Sequence, residues 1–132
     1  LYDGIVDVFK TLKANGKKLA IATSKPLKFT HLMIEGLGLT EYFDFIGGAT
    51  CDASKETKAD VIELVLENLK IDDVSRVLML GDRLYDIEGA HALGVDCAAV
   101  MWGYGNREEF EEYCADYILD KPEDILKLVL QA

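Results

Sequence analysis

The sequence predicts an α/β fold, a three-layer Rossmann-like parallel sheet of about five strands with helices on both faces. Two observations predict it. Helical and short apolar segments alternate along nearly the whole chain, which is the pattern of βαβ units. In addition, residues 77–80 (V-L-M-L) are apolar without alternation and stop at Gly81, as in a strand that is buried on both faces. The length of 132 residues suits one domain, which we expect over residues 1–132.

The first half of the chain predicts three helices and two strands. In order these are a helix over 3–15, a strand over 17–23, a helix from 26 to about 37, a strand over 43–46 and a helix over 58–70. Pro26 suits the first position of a helix. Thr57 and Asp60 have the spacing of a capping box at the start of the third helix. Gly47 and Gly48 are expected to follow the second strand.

The second half continues the alternation. The predicted elements are the strand over 77–80, a helix that ends at 94, a strand over 95–101, a helix over 107–114, a strand over 117–119 and a helix over 122–130. A loop over 102–106 (W-G-Y-G-N) separates two of them. This alternation of strand and helix throughout predicts a parallel, doubly wound sheet.

Composition excludes several classes of function. The formal net charge of −10 argues against nucleic-acid and membrane-surface binding, which need a basic patch. No apolar run has the length of a membrane span, and no signal-peptide pattern opens the chain. Three widely spaced cysteines, Cys51, Cys97 and Cys114, form no metal-type or redox pair. We interpret them as reduced thiols, and we expect a cytoplasmic protein.

Two carboxylates mark the end of the central strand. Asp82 comes directly after Gly81, at the carboxyl end of the strand, where open α/β sheets bind their ligands. Asp86 follows four residues later on the first turn of a helix, so both carboxylates can face one pocket. Such a pair suits a hard cation such as Mg²⁺. The alternative is that Asp82 serves only as a helix N-cap.

Two further segments offer groups that bind an anion. Thr23 and Ser24 come at the end of a strand and before a helix, where hydroxyl and backbone N–H groups favour phosphate. Lys58 starts a helix, where a cation is unfavourable, and such exceptions are found at functional sites. The alternatives are ordinary turn residues and a solvated lysine, with Lys55 as the competing cation. Arg83 can point to solvent or to substrate, and of the two solvent is expected.

Taken together, a hydroxyl, a lysine and a carboxylate pair suit phosphoryl transfer. The charge of a transferring phosphoryl group is spread over several oxygens. Catalysis therefore depends mainly on positioning and electrostatic stabilisation, with a metal ion as bridge.

These residues resemble the motifs of the haloacid dehalogenase superfamily of phosphatases. Residues 21–26 (I-A-T-S-K-P) resemble its second motif, which implies that Thr23 and Ser24 bind phosphate. Many members have Asn in place of Ser24, so the backbone role carries over more safely than the side chain. Lys58 matches the lysine of the third motif, and residues 81–86 (G-D-R-L-Y-D) match G-D-x-x-x-D, the fourth. The resemblance implies catalytic roles for Thr23, Lys58 and Asp82, and a Mg²⁺ site at Asp82 supported by Asp86.

Within the superfamily, the phosphoglycolate-phosphatase-like branch fits best. Residues 102–105, 108–109 and 115–118 resemble the usual tail of that branch, and residues 1–5 resemble the segment that re-enters the core after a helical cap. The resemblance covers nearly the whole chain. It implies a Mg²⁺-dependent phosphatase whose substrate is a small phosphorylated metabolite.

One departure from the family pattern matters for activity. The first motif, D-x-D-G-T on an N-terminal strand, holds the nucleophilic aspartate of the family, and it is not found in these 132 residues. The helical cap is not found either. The resemblance therefore implies a partial core domain that is inactive alone, with the aspartyl-phosphate formed by a residue of the parent protein. The alternative is a non-catalytic module that binds phosphate, metal or a partner protein.

The same departure predicts an open position in the sheet. In the family, the first-motif strand lies between the strand that ends at Thr23 and the strand that ends at Asp82. Without it both strands have an unpaired edge, which invites pairing or aggregation. We expect that the two strands close on each other, or that an N-terminal segment or a second chain fills the gap.

Overall fold

A computed structural model describes residues 4–49 and 57–130 of the chain. Within them the elements are, in order, α1 Ile5–Ala14, β1 Ala20–Pro26, α2 Leu27–Gly36, β2 Phe45–Ala49, α3 Lys58–Asn68, β3 Leu78–Gly81, α4 Leu84–Ala92, β4 Asp96–Val100, α5 Arg107–Glu112, β5 Tyr117–Leu119 and α6 Glu123–Leu130. Short 3-10 turns cover Thr40–Tyr42 and Val74–Arg76. The predicted alternation of helix and strand is confirmed, and most ends agree to within about three residues.

The five described strands form two parallel sheets, which confirms the predicted α/β class. Strand β1 pairs with β2, while β3, β4 and β5 pair in that order. The β3–β4 ladder is regular and runs from Leu78 opposite Asp96 to Gly81 opposite Ala99. The β1–β2 ladder is interrupted between Ala22 and Pro26. The irregularity falls at the end of β1 that was predicted to carry Thr23.

Helices cover both faces of the sheets, as predicted. Side chains of β4 alternate between two apolar clusters, because successive residues of a strand point to opposite faces. Cys97 and Ala99 lie in a cluster with α3, α4 and α5, whereas Ala98 lies in a cluster with α1, β5 and α6. All three residues are fully buried. Strand β4 is therefore the centre of the described core.

Helix α3 connects the two sheets. It packs on β1 and β2 and also against α4, which lies over β3 and β4. Its approach to β2 depends on Gly47, where an added Cβ would lie 2.8 Å from Cγ2 of Val65. The start of α3 is fixed by the predicted capping box, in which Asp60 N–H donates to Thr57 and Thr57 N–H donates to Asp60. This cap places Lys58 where its ammonium group reaches the Ala22 carbonyl of β1.

Two predicted boundaries are wrong for one reason. Pro26 was expected to start a helix, but it ends β1, and α2 begins at Leu27. Gly47 and Gly48 were expected to follow a strand, but they lie within β2. In both cases the pairing of β1 with β2 extends the strands, with Pro26 opposite Ala49. Tertiary pairing here overrides the local preference of proline and glycine.

The burial predicted for β3 is also wrong. Leu78 and Met79 are half-buried, and Leu80 is 36% exposed. An apolar strand becomes buried only where neighbours cover it, and in residues 4–49 and 57–130 only β4 pairs with β3. The expectation that β1 and β3 close on each other is wrong as well, because they belong to separate sheets. Filling of the gap by another segment or chain stays a prediction.

Candidate functional site

Lys58 joins the two sheets through its ammonium group. Its Nζ donates a hydrogen bond of 3.0 Å to the Ala22 carbonyl of β1 and forms an ion pair of 2.8 Å with Oδ1 of Asp86 on α4. The Lys58 side chain is 15% exposed and that of Asp86 is 9% exposed. The lysine at a helix start, which local electrostatics disfavours, is thus stabilised by partners from two other elements.

Asp86 organises the turn that follows β3. Its Oδ2 accepts hydrogen bonds from the backbone N–H groups of Asp82, at 3.0 Å, and Arg83, at 3.3 Å. Both of its carboxylate oxygens therefore have partners within the described chain. Gly81 makes this possible, since any Cβ there would overlap the Asp86 carboxyl group. Asp86 is almost fully buried, so its charge depends on these contacts.

Asp82 is not the cap of α4. The helix begins at Leu84 with Arg83 in the cap position, and the Asp86 carboxylate accepts a hydrogen bond from the Arg83 N–H. The alternative interpretation of Asp82 as an N-cap is therefore wrong. Its Oδ2 instead accepts a hydrogen bond of 2.9 Å from the backbone N–H of Tyr104. The half-buried Asp82 stands at the carboxyl end of β3, as predicted.

Thr23 is next in sequence to Ala22, which contacts Lys58. It is half-buried, has an interaction partner, and follows the residue whose carbonyl binds Lys58. It falls where the β1–β2 ladder is interrupted, and such irregularities re-aim side chains near functional sites. The side chain of Ser24 and the whole of Lys55 lie outside the described residues, so the structure does not test them.

Three of the predicted site residues are in direct contact. The order of contacts runs from the β1 carbonyl to Lys58, then to Asp86, and then to the Asp82 backbone. Thr23 is the next residue of β1 after Ala22, whose carbonyl binds Lys58. The arrangement places a cation beside Ala22 of β1 and a carboxylate beside the turn after β3, where an anion and a hard cation can be bound together.

The family follows from a comparison with known families. Residues 1–100 match the family described as haloacid dehalogenase-like hydrolase. The chain belongs to the haloacid dehalogenase-like hydrolases. The resemblance drawn from the motifs is thereby confirmed. Similarity to phosphoglycolate phosphatases confirms the predicted branch.

Several haloacid dehalogenase relatives are similar to most of the chain. It is 37% identical over 108 residues to tyrosine-protein kinase PtkA of Mycobacterium tuberculosis, which covers 82% of this chain and 37% of the relative. It is 32% identical over 134 residues to phosphoglycolate phosphatase 1 of Pseudomonas aeruginosa, which covers all of this chain and 48% of the relative. Among solved structures, a predicted phosphatase from Clostridium acetobutylicum matches with a TM-score of 0.93 and 37% identity, covering 99% of this chain and 60% of that one. The chain thus spans less than half the length of these two curated relatives.

Arg83 has a role that the sequence did not indicate. It was expected to point to solvent, but its guanidinium lies 3.3 and 3.5 Å from the two carboxylate oxygens of Glu109 on α5. It also lies 5.5 Å from the ring centroid of Tyr85, and its side chain remains 43% exposed. In this haloacid dehalogenase relative, the residue inside the G-D-x-x-x-D motif therefore connects the turn after β3 to α5.

The sequence does not predict three other contributors to the site. These are the Ala22 carbonyl, the Tyr104 N–H and Gly89, where an added Cβ would lie 2.8 Å from Cγ of Lys58. The first two are backbone groups, which leave no signal in the residue type. Gly89 lies inside α4, and an isolated glycine in a helix often has a packing reason, so this signal was available.

A Mg²⁺ ion, which the family implies, fits the site in part. In the described residues no group of three His, Cys, Asp or Glu side chains could hold a metal ion. The Asp82 carboxylate has the oxygen ligand that Mg²⁺ prefers, and one or two carboxylates with water and substrate oxygens are a usual Mg²⁺ set. Asp86 is already paired with Lys58. Asp82 is thus the described residue best suited to contact the ion.

No helix among the described residues has the length and apolar character needed to cross a membrane.

Proposed function

We propose that the protein containing this chain is a Mg²⁺-dependent phosphatase that hydrolyses phosphate monoesters of small metabolites, similar to a phosphoglycolate phosphatase. The observation that carries the proposal is the contact series from Ala22 through Lys58 and Asp86 to Asp82. It holds a cation and a carboxylate at the sheet edge where the family is expected to bind phosphate. The similarity to phosphoglycolate phosphatase 1 supports the substrate class.

Each proposed site residue has one task. Thr23 and Ser24 hold the phosphoryl oxygens at the end of β1, and Lys58 neutralises part of their charge. Asp82 binds Mg²⁺, and Asp86 supports the site by fixing Lys58 and the turn after β3. The described contacts of Asp86 favour this supporting role over direct binding of the metal, because both oxygens already accept from other groups.

The covalent step uses a carboxylate from outside these 132 residues. That aspartate attacks phosphorus, the ester P–O bond breaks, and the alcohol leaves after taking up a proton. Water then hydrolyses the aspartyl-phosphate to inorganic phosphate and restores the carboxylate. When bound, Mg²⁺ supplies positive charge beside the phosphoryl oxygens. Residues 1–132 are accordingly the partial core domain of the enzyme, inactive alone.

The same proposal accounts for the two separate sheets. Leu80 of β3 is more exposed than an apolar strand residue should be, and β1 and β3 each pair on one side only within the described chain. A strand that carries the nucleophile fits between them, either from an N-terminal segment of the same protein or from a second chain. The proposed partners are therefore this strand and a small phosphorylated metabolite, with no nucleic acid and no membrane.

A second candidate is phosphoryl transfer to a protein hydroxyl group. It is favoured by the 37% identity to a protein named a tyrosine-protein kinase. Transfer and hydrolysis share the binding of a phosphoryl group and differ in the acceptor. An assay with ATP and a tyrosine-containing peptide separates them, since labelled peptide identifies transfer and inorganic phosphate identifies hydrolysis.

The test is phosphate release by the whole protein with Mg²⁺ and a panel of small phosphate monoesters. Lys58→Ala should lower kcat/KM by about 100-fold or more, because it removes a charge from the transition state. Lys10→Ala, which changes an exposed lysine of α1, is the matched control and should keep the wild-type rate. Absence of release from every ester, or equal rates for the two variants, contradicts the proposal.

A further inference from the structure

We propose that the 102–106 loop is a backbone clamp that orients the Asp82 carboxylate for metal binding. The inference rests on the proposed function, since it concerns how the proposed Mg²⁺ ligand is held. The first observation is the hydrogen bond of 2.9 Å from Tyr104 N–H to Oδ2 of Asp82. The Tyr104 side chain is 94% exposed, so the contribution of this residue comes from its backbone.

Two glycines let the loop approach Asp82 closely. A Cβ on Gly103 would overlap the Asp82 carboxyl group, and a Cβ on Gly105 would overlap the Asp82 carbonyl oxygen and lie 2.7 Å from the Phe110 ring. Neither glycine has the positive φ that favours glycine for conformational reasons. Their lack of a side chain is therefore used for space. The loop backbone lies against both the side chain and the main chain of Asp82.

The loop is held at its far end by α5. Asn106 caps this helix, with its Oδ1 accepting from Glu109 N–H at 2.8 Å. Glu109 also pairs with Arg83, the neighbour of Asp82, and the adjacent Phe110 is completely buried. The clamp is thus connected to Asp82 itself through the Tyr104 hydrogen bond and to the next residue, Arg83, through Glu109 of α5.

The consequence is a carboxylate whose torsion is set before a cation arrives. With Oδ2 fixed by Tyr104 N–H, the direction of Oδ1 is fixed too. Groups that orient a ligand in this way typically change metal affinity by about 10- to 100-fold when they are altered. The clamp should therefore act on the affinity for the metal and only through it on turnover.

The experiment measures Mn²⁺ binding to the whole protein by electron paramagnetic resonance, with no substrate present. Gly103→Ala should raise the Kd for Mn²⁺ by about tenfold or more. Gly36→Ala is the matched control: this glycine is also exposed and without positive φ, and an added Cβ meets nothing within 4 Å. It should bind as the wild type does. Circular dichroism tests whether both variants are folded.

A second pair of variants loosens the clamp without adding bulk. Asn106→Ala removes the cap of α5 and should weaken Mn²⁺ binding several-fold, whereas Asn106→Ser keeps a capping oxygen and should restore it. Asp73→Ala, which removes the cap of the Val74–Arg76 turn at the opposite end of β3, should leave the Kd unchanged. This control separates a loss of stability from a loss of orientation.

The outcomes distinguish the clamp from the proposed function. Wild-type affinity in folded Gly103→Ala overturns the clamp alone. If Gly103→Ala does not fold, the Asn106 pair decides, and equal Kd values for alanine and serine overturn the clamp. A wild-type protein that binds no Mn²⁺ overturns the proposed metal site and the clamp together.

Discussion

The pair formed by Lys58 and Asp86 gives the most informative prediction about stability. Asp86→Asn keeps the shape of the side chain and removes its charge. The ammonium of Lys58, which is 15% exposed, then lacks its counterion. Removing one partner of a buried pair costs about 3–5 kcal/mol, because the other charge stays buried without compensation. We therefore expect a loss of this size in the free energy of unfolding.

The double variant tests whether the pair acts as a unit. Lys58→Met with Asp86→Asn removes both charges, so its cost should be smaller than the sum of the two single costs by about 1 kcal/mol or more. Arg107→Met is the matched surface control. It breaks an ion pair of 3.0 Å with Asp120, whose side chain is 72% exposed, and it should cost at most about 1 kcal/mol.

Urea unfolding of the chain, followed by circular dichroism, measures all four variants under the same conditions. The free energy in water comes from linear extrapolation, and an unchanged slope shows that the unfolded state is comparable. The energetic role of the buried pair is refuted if Asp86→Asn costs no more than Arg107→Met. It is also refuted if the single costs add within about 0.5 kcal/mol, which is the behaviour of independent sites.

Three further predictions concern packing, pH and thiol chemistry. Gly89→Ala should lower kcat/KM of the whole protein by about 100-fold, because the added Cβ displaces the site lysine, whereas Gly36→Ala should not; equal rates would refute this. The hydrogen bond from Lys13 holds the pKa of Asp44 below its usual 3.8, against the opposing effect of burial. The stabilisation is therefore complete above the unfolded pKa and is lost as the pH falls through the lower folded pKa. Lys13→Met should cost up to about 1 kcal/mol at neutral pH and progressively less in acid, and a cost that is constant with pH in urea titrations would contradict the assignment. Burial raises the pKa of the Cys97 thiol to about 12. In a folded variant with Cys51→Ser and Cys114→Ser, Cys97 should therefore resist labelling by Ellman's reagent at about pH 8. Rapid labelling would contradict this expectation.

Local signals predicted the elements that the site requires. The capping box at Thr57 and Asp60 gave the start of α3, and hence the position of Lys58, because both partners are three residues apart. Gly94 predicted the end of α4, because a glycine with a positive φ commonly follows the last turn of a helix. The turn that brings Asp82 and Asp86 close together could be predicted because Gly81 marks the end of the strand directly before Asp82.

Features that depend on neighbours distant in sequence could not be predicted. The exposure of Leu80 depends on what lies beside β3, and an apolar run does not report it. Pro26 pairs with β2 although its local preference favours a helix start. The contact of Tyr104 with Asp82 joins backbone and side chain across 22 residues, and the residue type at 104 carries no trace of it.

The most direct test of the proposed function is hydrolysis of p-nitrophenyl phosphate with Mg²⁺, by residues 1–132 alone and by the whole protein. We expect activity in the whole protein only, because the proposed nucleophile comes from outside these residues. Activity of residues 1–132 alone would contradict this, and Asp3, Asp7 and Asp52 would then be tested as nucleophiles. Activity in neither would favour a module that binds without catalysis.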